Sequence, residues 1–262
     1  GKIITLGGNR STKTETHLAE ACIQMTGIVP WSLEGVYPKE KLRCPIRVRL
    51  ICESLTNVWD AVIKPKLQWW VWSGPSPIGG PRGHWGWIPR RFLLRGDWNE
   101  SWTEKNRILT LNCGCTFQVM SYDQEPKDFE AASLHLVLCD EGPPKSIYRA
   151  NEMRLIDVRG RIMIAMTPPD DPKTAWKAAW VSDEYEKGLP GPHKDPDIDS
   201  FNLLMEKNTT LDADEIYRRT KDLTPLEKLV RMKGKFIHLS GLVYPEYANQ
   251  PQKWCFRCNE IA

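Results

Sequence analysis

The chain has 262 residues, 41% of them hydrophobic and 26% charged, with a formal net charge of +3. That size and composition suit one large α/β domain or two small ones. They exclude a membrane span, because no apolar run approaches the ~18 residues one needs, and +3 is too weak a charge to argue for nucleic acid by itself. No signal peptide is visible, and the first residues carry no initiator Met, which reads as a fragment whose true start lies upstream.

In chain order, "KIITLGG" is a short β-rich run closed by glycines, and "STKTETHLAEACIQMTG" is a predicted helix ending near Gly27. A second strand is predicted over Ile46 to Cys52. "LTNVWDAVIKPKLQWWVW" then has helical spacing at Leu55, Val58 and Val62, interrupted by Pro65. From Ser73 to Gly96 glycine and proline dominate, and a long loop or insertion is expected. Seven of the twelve tryptophans lie between Trp69 and Trp102, interleaved with Arg82, Arg90, Arg91 and Arg95. The tryptophans read first as a satellite core under that loop, whereas the arginines are equally compatible with a DNA-facing or subunit-facing rim.

"RILTLNCGCTFQVMSY" alternates apolar and polar residues about Gly114 and predicts a β-hairpin. "LHLVLCDE", Leu134 to Glu141, is an unbroken apolar run ending in two acids, the pattern of a buried parallel strand. "PPKSIYRANEMRLIDVR" predicts a helix opened by proline. "GRIMIAMTPP", Gly160 to Pro169, predicts another buried strand. "DEYEKGLPGPHKDPDIDS" reads as a polar loop, "DADEIYRRT" and "PLEKLVRMKG" as short surface helices, and "FIHLSGLVYPEY" as extended chain.

The eight cysteines, at 22, 44, 52, 113, 115, 139, 255 and 258, are scattered and read as reduced, mostly structural thiols. Cys255-x-x-Cys258 has half a zinc spacing with no second pair, and Cys113-x-Cys115 is too tight for a usual zinc knuckle. His84, His135 and His238 are isolated from one another, and Asp170-Asp171 reads as a solvated acid pair, so none of these is assigned a role.

The chemistry concentrates in two places. "GGNRSTKT", Gly7 to Thr14, fits the phosphate-binding pattern G-x-x-x-x-G-K-[ST] except that Thr12 replaces the second glycine. It follows a predicted strand and opens a predicted helix, the context that such a loop needs. Asp140 and Glu141 close a later buried strand, where open α/β sheets place their ligands. A lysine there is a point charge for the β and γ phosphates, the next hydroxyl and the first acid suit Mg²⁺, and the second acid can orient and deprotonate water. Threonine is poorly suited to a positive φ; the site nevertheless reads as altered but live, because the lysine, the hydroxyl and the loop length are retained, and a negative φ at Thr12 would make the replacement cost little.

These residues carry a resemblance. "GGNRSTKTE", "MSYDQEPKDFEAASLHLVLCDEGPP", "GRIMIAMTPP" and "GLVYPEY" resemble the large terminase subunits of tailed bacteriophages, the motors that package DNA into capsids. The resemblance implies an α/β P-loop NTPase of the ASCE (RecA-like) type, with a mainly parallel central sheet flanked by helices and a Trp/Arg-rich insertion. It implies an ATPase domain over residues 1–250 that lacks its extreme N-terminus, and over 251–262 a linker toward a nuclease domain not present in this chain. ATP and Mg²⁺ would be held by Gly7, Gly8, Asn9, Arg10, Ser11, Thr12, Lys13 and Thr14, with Thr14 and Asp140 on the metal. Glu141 would be the catalytic base, Arg10 would sense the γ-phosphate, and Thr167 would couple hydrolysis to movement. Implied partners are double-stranded DNA, a portal, a small terminase subunit and further copies in a ring, in the host cytoplasm and transiently on the procapsid, with no membrane. The arginine that relatives carry before the second motif is absent, since Glu130 and Ala131 stand there. Arg149, Arg154, Arg90, Arg91 and Arg95 are the substitutes to consider, Arg149 first. A helicase-like ATPase and a degenerate, non-hydrolysing scaffold are the competing readings.

Overall fold

A computed structural model describes residues 1–75, 81–169, 172–236, 254–255 and 260–261. Its elements are β1 (Lys2–Gly7), α1 (Lys13–Thr26), β2 (Arg47–Cys52), α2 (Lys64–Leu67), β3 (Val71–Pro75), β4 (Pro81–His84), α3 (Trp98–Ser101), β5 (Trp102–Thr103), β6 (Ile108–Thr110), β7 (Thr116–Ser121), β8 (Leu136–Asp140), α4 (Lys145–Glu152) and β9 (Arg161–Met166). They continue with α5 (Pro172–Lys187), β10 (Ile198–Leu203), α6 (Ala213–Thr220), α7 (Pro225–Arg231), β11 (Trp254–Cys255) and β12 (Glu260–Ile261).

The fold is α/β, built on an eight-stranded, mostly parallel mixed sheet ordered β10-β1-β9-β8-β2-β7-β6-β5, with helices alongside. Two compact units divide the chain: Gly1–Ile3 with Lys13–Ala165, and Ile4–Thr12 with Met166–Ala262.

In the first unit, β2 pairs in parallel with both β7 and β8, and β8 in parallel with β9. β6 pairs antiparallel with β7, and β5 antiparallel with β6, closing that side. β2 and β8 are buried almost throughout, as strands covered on both faces must be; β8 is apolar up to Asp140, whereas β2 buries an arginine among its apolar residues. Leu18, Ala21, Cys22 and Met25 recur at i, i+3, i+4 and i+7 along α1 and enter one core with Val48 and Leu50 of β2, Phe117 of β7 and Leu136 of β8. Gly27, at φ 70°, ends α1 in the left-handed conformation that glycine adopts most easily.

The opposite side of β2 carries Arg49, only 1% exposed. Its Nε donates to Gln118 Oε1 at 3.0 Å, Nη1 to Phe129 O at 2.9 Å and to Asn151 Oδ1 at 2.8 Å, and Nη2 to Ala131 O at 3.1 Å. All four acceptors are neutral. Burial, with the neighbouring Arg154 charge, pulls the guanidinium down to about 10. One side chain thus fastens β7, the 129–131 segment and α4 to the centre of the sheet.

In the second unit, α5 packs on β10, where Ser200 Oγ donates to Tyr185 O at 2.7 Å. Gly188 follows α5 at a point where a Cβ would stand 2.2 Å from Ser200 Oγ. Asp212 caps α6 by accepting from Glu215 N at 2.9 Å. Thr224 and Glu227 cap α7 reciprocally.

Three expectations are corrected. Residues 183–200 are not one polar loop: α5 runs on to Lys187 and β10 begins at Ile198, leaving only 188–197 as turns, because the Gly/Pro cluster is confined there. The 73–96 stretch is not wholly loop, since β3 and β4 pair antiparallel within it. Pro65 does not interrupt the helix before it. A π-helix over Leu55–Ile63 passes directly into α2, and Pro65 stands in the first turn of α2, where the helix type changes while the helical path continues. The tryptophans are mainly packing residues: Trp98 is in the core, Trp102 stacks on Trp59 at 5.1 Å, and Trp69 and Trp87 pack against the core, while Trp85 is exposed. No helix among the described residues is long and apolar enough to cross a membrane. The "GLVYPEY" segment and Asp170-Asp171 lie outside the described residues.

The Arg49 fork gives a direct test. Arg49→Met strands its acceptors in the interior and is expected to lower stability by at least about 3 kcal/mol in urea unfolding. Arg49→Lys, with a single ammonium in place of a planar fork, should recover less than half of that loss.

Candidate functional site

In the first unit, the beginning of α1 faces the end of β8. Thr14 Oγ1 donates to Asp140 Oδ1 at 2.6 Å. Lys13 is only 7% exposed. Burial pulls its ammonium down, and the Glu141 and then the Asp140 carboxylates push it back up. Asp140 shows the reverse balance: burial raises its carboxyl, while the Thr14 hydroxyl and the Lys13 charge lower it. A buried cation and a carboxylate thus support one another's charged forms, with a hydroxyl already aimed at the acid.

Glu141 is placed by its backbone. Its N–H donates to Ala165 O at 2.7 Å, and its carbonyl accepts from Tyr122 Oη at 3.0 Å. Its φ is 69°, left-handed for a non-glycine residue. Such conformations persist only where neighbours hold them, and they concentrate at functional sites. Both acids act on Lys13, so the end of β8 and the residue after it stand close to that ammonium.

His17 lies one turn along α1, 3% exposed. Burial, and then the Lys13 charge, pull its imidazole down to about 3, so it is a neutral core residue at neutral pH. Glu15, in the first turn of α1, receives Lys66 Nζ at 2.5 Å and a hydrogen bond from Trp87 Nε1. The tryptophan-rich stretch therefore braces the start of this helix.

In the second unit, the loop after β1 is held by its own surroundings. Asn9 N donates to Arg231 O at 2.7 Å, and Arg10 O accepts from Asn208 Nδ2 at 2.7 Å. A Cβ at Gly8 would stand 2.4 Å from the Arg231 carbonyl oxygen, so backbone packing alone requires glycine there. Arg10 has φ 58° and Thr12 φ 68°, whereas Ser11 between them is not left-handed. Alternation of that kind turns successive N–H groups toward one concavity, a geometry that binds anions. The presumption of a negative φ at Thr12 is thus corrected. Thr12 therefore bears the strain of a left-handed conformation that glycine would adopt more easily, with its Oγ1 donating to Ser11 O at 2.6 Å.

The remaining sequence candidates separate. Thr167 lies just past the end of β9. Arg149 is exposed on α4, but Arg154 Nη1 donates to Glu130 O at 2.6 Å and so braces its own chain. Arg90 lies over the Trp69 ring, with Nε on Gly96 O at 2.9 Å. Arg95 stands 3.9 Å from Glu100, and Arg91 is exposed beside Phe92. His135 Nδ1 accepts from Arg47 N at 3.1 Å, a structural role. Sequence reasoning missed Arg49 and Tyr122, and nothing in the spacing of "RVRLIC" or "QVMSYD" distinguishes them from surface residues of a strand. Comparison with known proteins returns no relative: no protein-family model, no curated protein and no solved structure matches this chain. The fold and the site define an α/β protein in which a lysine–threonine pair opening a helix meets an acid pair closing a parallel strand.

Two outcomes are expected. Unfolded His17 takes a proton near its ordinary value of 6.5, and folded His17 only near 3, so the unfolded state binds more protons between those values. Stability should therefore fall as pH drops through that window, by about 2 kcal/mol from pH 7 to pH 5, and His17→Gln should flatten the slope in urea titrations at the two pH values. Thr12→Gly should raise stability by up to about 1 kcal/mol, the left-handed penalty relieved less the entropy that glycine adds to the unfolded chain.

Proposed function

We propose that this chain is a P-loop ATPase that drives translocation of double-stranded DNA, the packaging motor its resemblance to large terminase subunits implies. The observation that carries the reading is the hydrogen bond of 2.6 Å from Thr14 Oγ1 to Asp140 Oδ1, beside a buried Lys13. Two hard oxygen donors from distant parts of the sequence meet where Mg²⁺ would be bound, and hydroxyl plus carboxylate suits that ion rather than a soft one. Thr14 and Asp140 would hold that ion, which would supply neutralisation of the charge developing on the phosphates.

The chain's own residues supply the rest. Lys13 sets a positive charge against the β and γ phosphates, and Asp140 and Glu141 keep that charge in place in its buried setting. The loop from Gly8 to Thr12, contiguous with Lys13, is the anion cradle through its N–H groups other than that of Asn9, which Arg231 O engages, and Arg10 is the γ-phosphate sensor. Glu141, turned out of the strand, orients the attacking water and accepts its proton. Thr167, past the end of β9, passes the loss of phosphate to the part that moves DNA. Further copies in a ring, a portal and a small terminase subunit are the partners of this reading, and the host cytoplasm and the procapsid are its places of work.

A scaffold that binds no nucleotide is the second reading, favoured by two features of the loop. The Asn9 N–H is engaged by Arg231 O, and Thr12 carries strain that glycine would not.

ATP turnover with and without double-stranded DNA, in the protein and in its Glu141→Gln variant, separates the two. The motor reading expects DNA to raise turnover, and Glu141→Gln to lower it by about 10²- to 10⁴-fold while Mg-ATP binding persists. No turnover and no Mg-ATP binding by the unaltered protein would establish the scaffold instead.

A further inference from the structure

Three thiols far apart in the sequence share one corner of the first unit. The parallel register of β2 and β7 sets Arg47 beside Thr116, so the residues preceding the two strands also run side by side. Ile46 N donates to Cys115 Sγ at 3.3 Å, and Thr116 N to Ile46 O at 3.0 Å. Cys44, two residues before Ile46, is thereby placed against the turn that joins β6 to β7. That turn is closed by Leu111 N on Cys115 O and by Gly114 N on Leu111 O, both 2.9 Å, with Gly114 at φ 84°. Cys113 and Cys115 flank the glycine, and both thiols reach Met25 O, at 3.5 and 3.4 Å.

The result is a cluster. Cys44 and Cys115 sulfurs are 3.4 Å apart, and the Sγ atoms of Cys44, Cys113 and Cys115 all lie within 4.8 Å of one another. A tetrahedral ion with metal–sulfur bonds of about 2.3 Å needs its sulfurs about 3.8 Å apart. The observed spread brackets that value, so side-chain rotation alone can close the site. Met25 lies in the last turn of α1, whose carbonyl end carries negative partial charge and favours a cation. Cys115 is buried and Cys44 exposed, so the cluster is anchored on one side and open to solvent on the other. Among the described residues no other group of histidine, cysteine or acidic side chains is gathered this way.

We propose that Cys44, Cys113 and Cys115 form a three-thiolate site for a soft, thiophilic cation of the Zn²⁺ or Cd²⁺ kind, with the fourth position left to water. The site is separate from the lysine–acid constellation and does not depend on its being an ATPase. Each thiol gives up its proton as its sulfur bonds to the metal, so binding must release protons and strengthen as pH rises. The ion would tie the end of α1, the approach to β2 and the β6–β7 turn together.

The test is titration of the reduced protein with Cd²⁺, followed by sulfur-to-metal charge-transfer absorption, with Zn²⁺ then added as competitor. Cys255 and Cys258 are first changed to Ser, because Cys255-x-x-Cys258 lies outside the described side chains and could bind metal itself. The expected result is one Cd²⁺ per chain, displaced by Zn²⁺, with a metal-dependent rise in Tm. Cys44→Ser, at an exposed position, should weaken binding by more than about tenfold, since even loss of a hydrogen bond to a metal ligand costs about 10- to 100-fold. Circular dichroism of Cys44→Ser and Cys113→Ser confirms that each remains folded. A charge-transfer band absent from the Cys255→Ser, Cys258→Ser protein, or one indifferent to both Cys44→Ser and Cys113→Ser, would overturn the proposal.

Discussion

A guanidinium buried without a carboxylate is the constraint around which the first unit is arranged. Taking Arg49 out of water is expensive, and only a full set of acceptors makes it tolerable. The acceptors come from Gln118, Phe129, Ala131 and Asn151, hence from a neighbouring strand, from the connection that precedes β8, and from α4. None of these can drift without leaving part of the fork unsatisfied. Because β8 lies between the fastened connection and α4, its end at Asp140 and Glu141 is fixed from both sides. The Phe129 ring near the guanidinium, at 5.7 Å, adds a neutral partner that leaves the charge intact.

That rigidity is what lets the site hold unfavourable local states. A lysine is buried against two acids, and a glutamate takes a left-handed turn. Either would relax in a looser frame, the lysine by losing its proton and the glutamate by returning to extended backbone. In the second unit, the loop after β1 has a comparable arrangement. Gly8 is wedged against the end of α7, Arg10 and Thr12 are left-handed, and Asn208 holds a loop carbonyl. Thr12 holds a positive φ that glycine would adopt more easily. The loop keeps its shape because its surroundings dictate it, and the side chain takes the strain.

The sulfur cluster has a different origin. It is a by-product of register, since once β2 pairs with β7 in parallel, the residues preceding each strand must meet. A C-x-C pair looks too tight for a metal when read alone, and becomes two corners of a triangle when a third thiol arrives from 69 residues away.

The sequence by itself determined whatever depends on neighbours along the chain. Burial on both faces removes polar alternation, so "LVLCD" and "RIMIAM" announce buried parallel strands, while "RVRLIC" announces a strand without its direction. The i, i+3, i+4 stripe of α1 announces an amphipathic helix, and the glycines at 27 and 114 announce a helix end and a turn. The candidates Lys13, Thr14, Asp140 and Glu141 were visible for the same reason, each standing at the end of a recognisable element. Where the polar composition was uniform, as over 183–200, the boundary between helix, turn and strand was not legible, because packing of α5 on β10 decided it. The tertiary structure alone decided which distant residues share a site, what conformation Thr12 adopts, and that the arginine of an apolar strand points inward. Those facts depend on strand register and on how many acceptors the fold brings to one point, and neither is written in local spacing.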